Sequence, residues 1–384
     1  MAVALLSGAS TWSAAATPIR LPPTGSWGTA ALLPAWYVRA AAATGPDGRI
    51  YVLGEYAPDQ RTVIAYDAPT GKWRRVTSMH VGRLAAAAVQ GPDGRIYVLG
   101  GLVAGKPHDK RSRSVEAYSV VTHRWTTLAP MLRPRAYVAV ALGGDGRIYA
   151  VGGEQDIGQG VSVEAYNVRS NSWSTVPSPP LTGTSVSAVG GPDGRIYLMG
   201  GVDPSRSEVV AYDPKVGTWI QRAPMPRLGF EIGVTLGPDG WIYAVGGSGD
   251  DAAGKLQSQT SVEAYDAASD RWVELPPLPQ PRAGAAVAAL PDGRIFAVAG
   301  YDRAQSDSVA SLNVDVFTPT GLTTPTPAPT PTTVLSTHAR KCNKTYGMQL
   351  HARLAVCYSP SYLTEAQRQM ARALDPRGPI ASST

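Results

Sequence analysis

The chain has 384 residues, of which 43% are hydrophobic, with 41 glycines and 33 prolines. This composition supports a large core, excludes a wholly disordered chain and is typical of a turn-rich β protein. The net charge of +6 lies mostly beyond residue 320, where seven Lys or Arg accompany two Asp or Glu. A nearly neutral body argues against nucleic-acid binding, and no segment has the roughly 18 to 20 apolar residues of a membrane-spanning helix.

Residues 1–17 differ in composition from the rest of the chain. A short apolar run, Met1 to Leu6, precedes small residues that end in Ala14-Ala15-Ala16. This order is typical of the end of a secretory signal, but the positive segment of such a signal is missing and the apolar run is short. We expect either a truncated signal segment or a flexible arm.

One pattern recurs six times between residues 18 and 319. Each copy contains an Asp-Gly pair, which favours a two-residue hairpin turn, and a tryptophan 20 residues before the aspartate. The aspartates are Asp47, Asp93, Asp145, Asp193, Asp239 and Asp292. Their spacing of 46 to 53 residues is typical of a propeller or a solenoid.

Each copy is predicted to form four strands. The first is rich in Ala and Val, the second ends in a glycine pair, the third contains a tyrosine, and the fourth contains the tryptophan. Trp27 has no three strands before it, and the last copy ends near Phe317 without a tryptophan. We therefore expect the strand around Trp27 to complete the last sheet and close a ring, which leaves only short sheet edges.

The pattern resembles that of the kelch-repeat family. Its glycine pair, tyrosine and tryptophan appear as Gly100-Gly101, Tyr118 and Trp125, and again as Gly152-Gly153, Tyr166 and Trp173. The first copy has Gly54-Glu55, and the last has Ala299-Gly300 with Phe317 in place of tyrosine. The resemblance implies an all-β fold, a six-bladed β-propeller of four-stranded antiparallel blades covering residues 18–319.

Candidate binding residues lie on one face of this expected propeller. We call it the mouth face; it carries the loops from the fourth strand of one blade to the first of the next, and from the second strand to the third. Arginines recur ten residues after the tryptophan, and other arginines, aromatic residues and one carboxylate lie near that register. The candidates are Trp36, Tyr37, Arg39, Arg83, Arg135, Arg227, Glu231 and Arg282.

Two interpretations of these arginines are open. They could form a cationic, aromatic-edged mouth for a carboxylated sugar or an acidic peptide. Alternatively they brace the loops by bonding to neighbouring carbonyls, which is favoured because kelch repeats commonly carry arginine there. The recurring Glu116, Glu164 and Glu263 are interpreted mainly as structural.

No cofactor or resident metal is predicted. Galactose oxidase, which has a related fold, uses a copper site with a Cys–Tyr crosslink, and this body has no cysteine. His80, His108 and Asp109 form a weak metal candidate, for which solvated loop residues are the favoured alternative. The basic loop from Lys106 to Arg113 would contact an acidic partner or form a solvated insertion.

The end of the chain is predicted to be separate from the propeller. Residues 320–336 form a Pro/Thr-rich linker of a kind common outside the cell, and residues 337–384 form a small basic tail. Cys342 and Cys357 would form a disulfide there, or the tail is a disordered extension with two thiols. A short helix is expected over Glu365 to Leu374.

These features lead to two main hypotheses of function. The first is a secreted or surface-associated binding module, without enzymatic activity, that presents its mouth face to a protein or an acidic glycan. The second is a sugar isomerase similar to the bacterial sialic acid mutarotases, in which mouth arginines hold the sugar carboxylate and Glu231 moves a proton. A cytoplasmic adaptor ranks third.

Overall fold

The computed structural model describes residues 21–55, 60–103, 110–153, 161–181, 185–201, 207–227, 229–251, 254–304 and 311–320. The predictions for residues 1–17, for the linker beyond Thr320, for the tail with Cys342 and Cys357, and for His108 and Asp109 fall outside these residues.

The described residues form 28 strands and no helix. The chain begins with β1 (Gly25–Thr29), which belongs to the last blade. Blade 1 contains β2 (Tyr37–Thr44), β3 (Ile50–Glu55), β4 (Val63–Asp67) and β5 (Lys72–Arg75). Blade 2 contains β6 (Ala87–Gln90), β7 (Ile96–Leu99), β10 (Val115–Ser119) and β11 (Arg124–Thr127), with the small hairpin β8 (Leu102–Val103) and β9 (Lys110–Arg111) between its second and third strands.

The remaining blades follow the same order. Blade 3 contains β12 (Ala139–Leu142), β13 (Ile148–Val151), β14 (Val163–Asn167) and β15 (Ser172–Val176). Blade 4 contains β16 (Ser187–Gly190), β17 (Ile196–Met199), β18 (Val209–Asp213) and β19 (Thr218–Arg222). Blade 5 contains β20 (Gly233–Leu236), β21 (Ile242–Val245), β24 (Val262–Asp266) and β25 (Arg271–Glu274), with the hairpin β22 (Ser248–Asp250) and β23 (Leu256–Ser258). Blade 6 contains β26 (Ala286–Ala289), β27 (Ile295–Val298) and β28 (Val314–Pro319).

The N-terminal strand closes the ring, as the sequence predicts. β1 pairs antiparallel with β28 and gives blade 6 the strand order β1-β28-β27-β26, with Trp27 opposite Phe317. The six blades are all antiparallel four-stranded sheets. The predicted six-bladed propeller is therefore confirmed.

The recurrent Asp-Gly motif is explained by one set of contacts, shown here for blade 2. Asp93 accepts a hydrogen bond from the backbone N–H of Arg95 at 3.2 Å and another from the hydroxyl of Tyr97 at 2.9 Å. Gly94 has φ +75°, and a side chain at Gly91 would overlap the Tyr97 ring. The motif thus joins a turn that needs glycine to a buried tyrosine in the second strand.

The recurrent tryptophans join each blade to the one before it. Trp125 donates its indole N–H to the carbonyl of Thr77 in blade 1 at 2.7 Å, and its ring packs 5.1 Å from that of Tyr118. The equivalent indoles bond to the preceding blade at 2.8 to 3.0 Å; they are Trp27, Trp73, Trp173, Trp219 and Trp272. Trp27 makes the same kind of bond, to Pro276 of blade 5, so the blade that contains both ends of the propeller is joined to its neighbour like the other five blades.

The first strands surround the axis. Neighbouring first strands contact one another in the order β2, β6, β12, β16, β20, β26 and back to β2. They enclose a cavity of about 570 Å³ whose lining is small and aliphatic, apart from Thr44, Gln90 and Thr235. Since no charged side chain lines this cavity, charged recognition along the axis has to come from the loops at its ends.

Deleting residues 1–29 should strongly destabilise the protein. The deletion removes β1 and the Trp27 contact, and it exposes the edge of β28 to other chains. We expect a lower melting temperature and aggregation, measured by thermal unfolding with light scattering. An unchanged melting temperature would contradict closure by β1.

Candidate functional site

The mouth of the axis is bordered by six equivalent residues, one in each blade, which we call the ring positions. Each lies twelve residues after the tryptophan of the preceding blade and has φ between +50° and +62°: Arg39, Ala85, Tyr137, Ser185, Glu231 and Gly284. Positive φ is unfavourable for residues other than glycine, so the loop geometry imposes it. The sequence pattern singles out Arg39 and Glu231 but not their shared register.

Arg39 reaches across the mouth from blade 1 to blade 3. Its guanidinium lies 4.2 Å from the centre of the Tyr137 ring, a cation–π contact that passes the small Ala85 of blade 2. The side chain is exposed, and among the described residues no carboxylate lies within ion-pair distance of it. Arg39 is therefore a cation held in position by an aromatic ring, and no described neighbour neutralises its charge.

Glu231 is held by residues of blade 6. Its carboxylate forms an ion pair with Arg303 at 2.7 Å and accepts a hydrogen bond from the Tyr301 hydroxyl. Arg303 also donates to the Tyr301 oxygen at 2.8 Å and to the Ser248 hydroxyl at 2.8 Å. The Arg303 guanidinium lies 5.5 Å from the Phe230 ring. These contacts fix the carboxylate at the mouth.

We call Arg39, Tyr137, Glu231, Tyr301 and Arg303 the mouth cluster. Burial and the charge of Glu231 raise the pKa of Tyr301, whereas Arg303 and Arg39 lower it. Arg39 is thus close enough for its charge to act on Tyr301 of blade 6. The cluster carries two arginines and one glutamate, a net charge of +1. Sequence reasoning missed Tyr137, Tyr301 and Arg303.

The three recurring arginines are buried instead. Arg83, Arg135 and Arg282 are only 0 to 2% exposed. Arg83 donates to the carbonyls of Gly100 at 3.3 Å and Ser114 at 2.9 Å and pairs with Glu116. The equivalent contacts are made by Arg135 with Gly152, Ser162 and Glu164, and by Arg282 with Ala299, Asn313 and Asp315. We call this arrangement of arginine, two carbonyls and carboxylate the brace. It agrees with the interpretation that these three arginines hold the loops, since none of their guanidinium groups is exposed to a ligand.

The other blades differ at the brace positions. Blades 1 and 4 have Tyr37 and Gly183 in place of arginine, and Ile64 and Val210 in place of the carboxylate. Tyr37 is 1% exposed and packs in the core between blades 1 and 6, while Trp36 before it is half-buried. Both partners of the brace are therefore absent together in these two blades.

Blade 5 keeps the carboxylate but not the arginine. Gly229 stands at the arginine position, and Glu263 is buried with an oxygen, Oε1, that has no hydrogen-bond partner within the described structure. The nearest cation, Arg227, lies 3.8 Å from Glu263 and 3.5 Å from Glu274 on the outer strand. Pro226 also replaces a residue whose N–H bonds to the carboxylate in blade 2, where His80 donates at 2.9 Å. The predicted mouth residue Arg227 therefore lies outside the mouth cluster.

The pKa of Glu263 reflects this environment. Burial raises it to about 7, while Arg227 lowers it and Glu274 raises it. The Glu263 carboxyl therefore changes its charge near neutral pH.

Metal centres and membrane-spanning helices each have a recognisable geometry. Within the described ranges, no three His, Cys, Asp or Glu side chains come together as metal ligands would. None of these residues forms a helix with the length and hydrophobicity needed to cross a membrane.

The brace predicts a difference between single and double substitutions. Arg135→Met leaves Glu164 buried without its cation, which should cost about 3–5 kcal/mol of unfolding free energy. Arg135→Met combined with Glu164→Leu should recover most of this loss, because an apolar pair of similar volume is tolerated in place of a buried ion pair. Urea unfolding followed by tryptophan fluorescence measures both; equal losses would contradict the brace.

Comparison with known proteins supports the fold. No curated protein matches the chain significantly in sequence. The structure of YjhT has a TM-score of 0.61 and 16% identity, over 74% of this chain and 95% of that one. A fungal alcohol oxidase of the AA5 family, in complex with copper, has a TM-score of 0.55 and 16% identity, over 77% of this chain and 76% of the oxidase. At such identities the likeness concerns the fold alone.

The sequence itself also matches a family model. The Kelch motif is found at residues 83–132, 134–180, 187–226 and 238–279. These matches cover blades 2 to 5, and blades 1 and 6 repeat the same sheet order around the ring. The chain belongs to the kelch-repeat family.

Proposed function

We propose that the protein is a binding module whose mouth cluster takes a carboxylate-bearing ligand, either an acidic glycan or an acidic group of a protein. The observation that carries this proposal is Arg39, an exposed guanidinium positioned over the Tyr137 ring with no carboxylate partner among the described residues. A guanidinium can grip a carboxylate through two parallel hydrogen bonds. The cluster's charge of +1 complements one such group.

The other cluster residues support this role. Arg303 is largely neutralised by Glu231, so its contribution is to hold Tyr301 and Glu231 in place rather than to attract an anion. Tyr137 and Phe230 provide aromatic surface on either side, which suits the apolar face of a sugar ring or a peptide side chain. The axial cavity, which is lined by the first strands and by Asp-Gly turns of the opposite face, contains no charged side chain that would compete with the mouth cluster.

A secreted or surface location is part of the proposal. The body has no cysteine, and a Pro/Thr-rich segment follows it, as in many proteins with tethered domains outside the cell.

One observation favours a second candidate, an isomerase similar to the sialic acid mutarotases. Glu231 is hydrogen-bonded to Tyr301, so the mouth contains a second group able to carry a proton. In such a reaction the Glu231 carboxylate would take the proton of the anomeric hydroxyl while the Tyr301 hydroxyl gives one to the ring oxygen, and the bond between the anomeric carbon and the ring oxygen would break to leave an open-chain carbonyl. The ring oxygen would then re-form that bond on the other face of the carbonyl, with both proton transfers reversed. A mutarotation assay on sialic acid, with Glu231→Gln as the inactive control, tests this candidate.

Arg39→Ala should weaken ligand binding about tenfold or more, since a charge-assisted contact contributes about 1.5 to 3 kcal/mol. The matched control is Arg124→Ala, which removes an exposed arginine from β11, far from the mouth. A glycan array with sialylated, uronic-acid and neutral glycans, followed by titration with the best acidic glycan and with an acidic peptide, measures the effect. Equal affinities of the two variants would contradict the proposal.

A further inference from the structure

Blade 5 retains the acceptors that grip an arginine in the braced blades. In blade 2 the Arg83 guanidinium bonds to the carbonyls of Gly100 and Ser114 and to the carboxylate of Glu116. The equivalent acceptors of blade 5 are the carbonyls of Gly246 and Ser261 and the carboxylate of Glu263, which we call the cradle. The backbone of the cradle has the same hydrogen bond as that of blade 2. The N–H of Gly246 donates to the Ser261 carbonyl at 2.8 Å, and the N–H of Gly100 donates to the Ser114 carbonyl at 3.0 Å.

Among the residues that the structure describes, the cradle's carboxylate is incompletely hydrogen-bonded. Oε1 of Glu263 accepts no hydrogen bond from any described residue, although the side chain is only 6% exposed. Arg227 approaches no closer than 3.8 Å, and its own side chain is 56% exposed. The Ser261 hydroxyl, whose counterpart in blade 3 accepts from Arg135, instead donates to Gln259 at 3.3 Å. A buried carboxylate oxygen that accepts no hydrogen bond and has only a distant, exposed cation beside it is costly, and a guanidinium seated there would relieve the cost.

We propose that the cradle is a binding site for an arginine side chain of a partner protein. The three braces show what this arrangement of acceptors accommodates: in each, the occupant is a guanidinium carried by a polypeptide loop on the mouth face. A guanidinium presents several N–H groups in a fixed planar fork, which meets two carbonyls and a carboxylate at once. A lysine ammonium is a compact, strongly hydrated charge and fits this set less well.

The position of the cradle makes it independent of the mouth cluster. Gly229 precedes the ring residue Glu231 by two positions, so the cradle lies beneath a loop of the same face, but none of its acceptors belongs to the cluster. The charged groups that face Glu263 are Arg227 on its loop and Glu274 on the neighbouring strand. Arg227 is the one side chain of these that competes with an incoming guanidinium, and its removal should strengthen binding.

The test uses N-acetylarginine amide as the probe and N-acetyllysine amide, at the same ionic strength, as its control. The arginine probe should raise the urea unfolding midpoint of the wild type in a saturable way, and the lysine probe should not. Arg227→Ala should respond at lower probe concentration. Glu263→Gln, which is nearly isosteric, should weaken the response about tenfold or more.

Gly229→Arg provides a second variant that fills the cradle from within. Gly229 does not have positive φ, and an added Cβ would lie 3.3 Å from the Ser248 carbonyl and 3.4 Å from Ile232, so only small shifts are needed. This variant should be insensitive to the probe. If it fails to fold, Glu263→Gln decides.

Three results would overturn the inference. The first is no response of the wild type, or an equal response to the lysine probe. The second is a response that Glu263→Gln leaves unchanged, since the probe would then bind elsewhere. The third is a response confined to Arg227→Ala, because Arg227 itself would then occupy the cradle. A change in mouth-ligand affinity bears on none of these, so the two proposals fail separately.

Discussion

Closure of the ring holds all six blades in place. Each blade donates its tryptophan N–H to the blade before it, and the first strands contact one another around the whole axis. β1 completes this circle by pairing with β28. Because every blade is held from both sides, all six keep the same order of four antiparallel strands. Differences in function therefore have to come from the loops and their side chains.

The brace fixes the loop that ends in a ring position, and the blades differ in whether they have one. Blades 2, 3 and 6 have the buried arginine and carboxylate, and their ring residues are Ala85, Tyr137 and Gly284. Both charged ring residues, Arg39 and Glu231, belong to blades without it. Their loops are held by other contacts, such as the pair of Glu231 with Arg303. The functional candidates thus cluster where the structural repeat is interrupted, which is the pattern expected when stability is exchanged for function.

Much of the fold could be predicted from the sequence because its signals recur. The spacing of tryptophan and aspartate is constant because both residues make contacts that every blade requires. Trp125 bonds to the preceding blade, and Asp93 bonds to the tyrosine of its own second strand. The missing strands at the two ends indicated closure in the same way. Residues that recur at the same position in every repeat make contacts that each blade must have for the ring to close.

The site was harder to predict for the same reason. Arg83 recurs because it braces the fold, and spacing alone cannot show that its side chain turns inward. The ring positions share a register twelve residues after the tryptophan, but their residue types differ, so no repeat marks them. Tyr301 and Arg303 meet Glu231 from a different blade, 70 and 72 residues away in sequence, and only the structure brings them together.

Blade 5 keeps the brace carboxylate without its guanidinium, and the pH dependence of the unfolding free energy measures the consequence for Glu263. The folded-state pKa of Glu263 is about 7, above its ordinary 4.5, so the native state holds the proton more tightly than the unfolded state between these values. The wild type should therefore lose up to about 3 kcal/mol relative to Glu263→Gln as the pH rises from 4.5 through 7. Stability curves of the two proteins that run parallel from pH 4.5 to 8 would mean that Glu263 keeps its ordinary pKa in the folded protein and is not a buried carboxylate without its guanidinium.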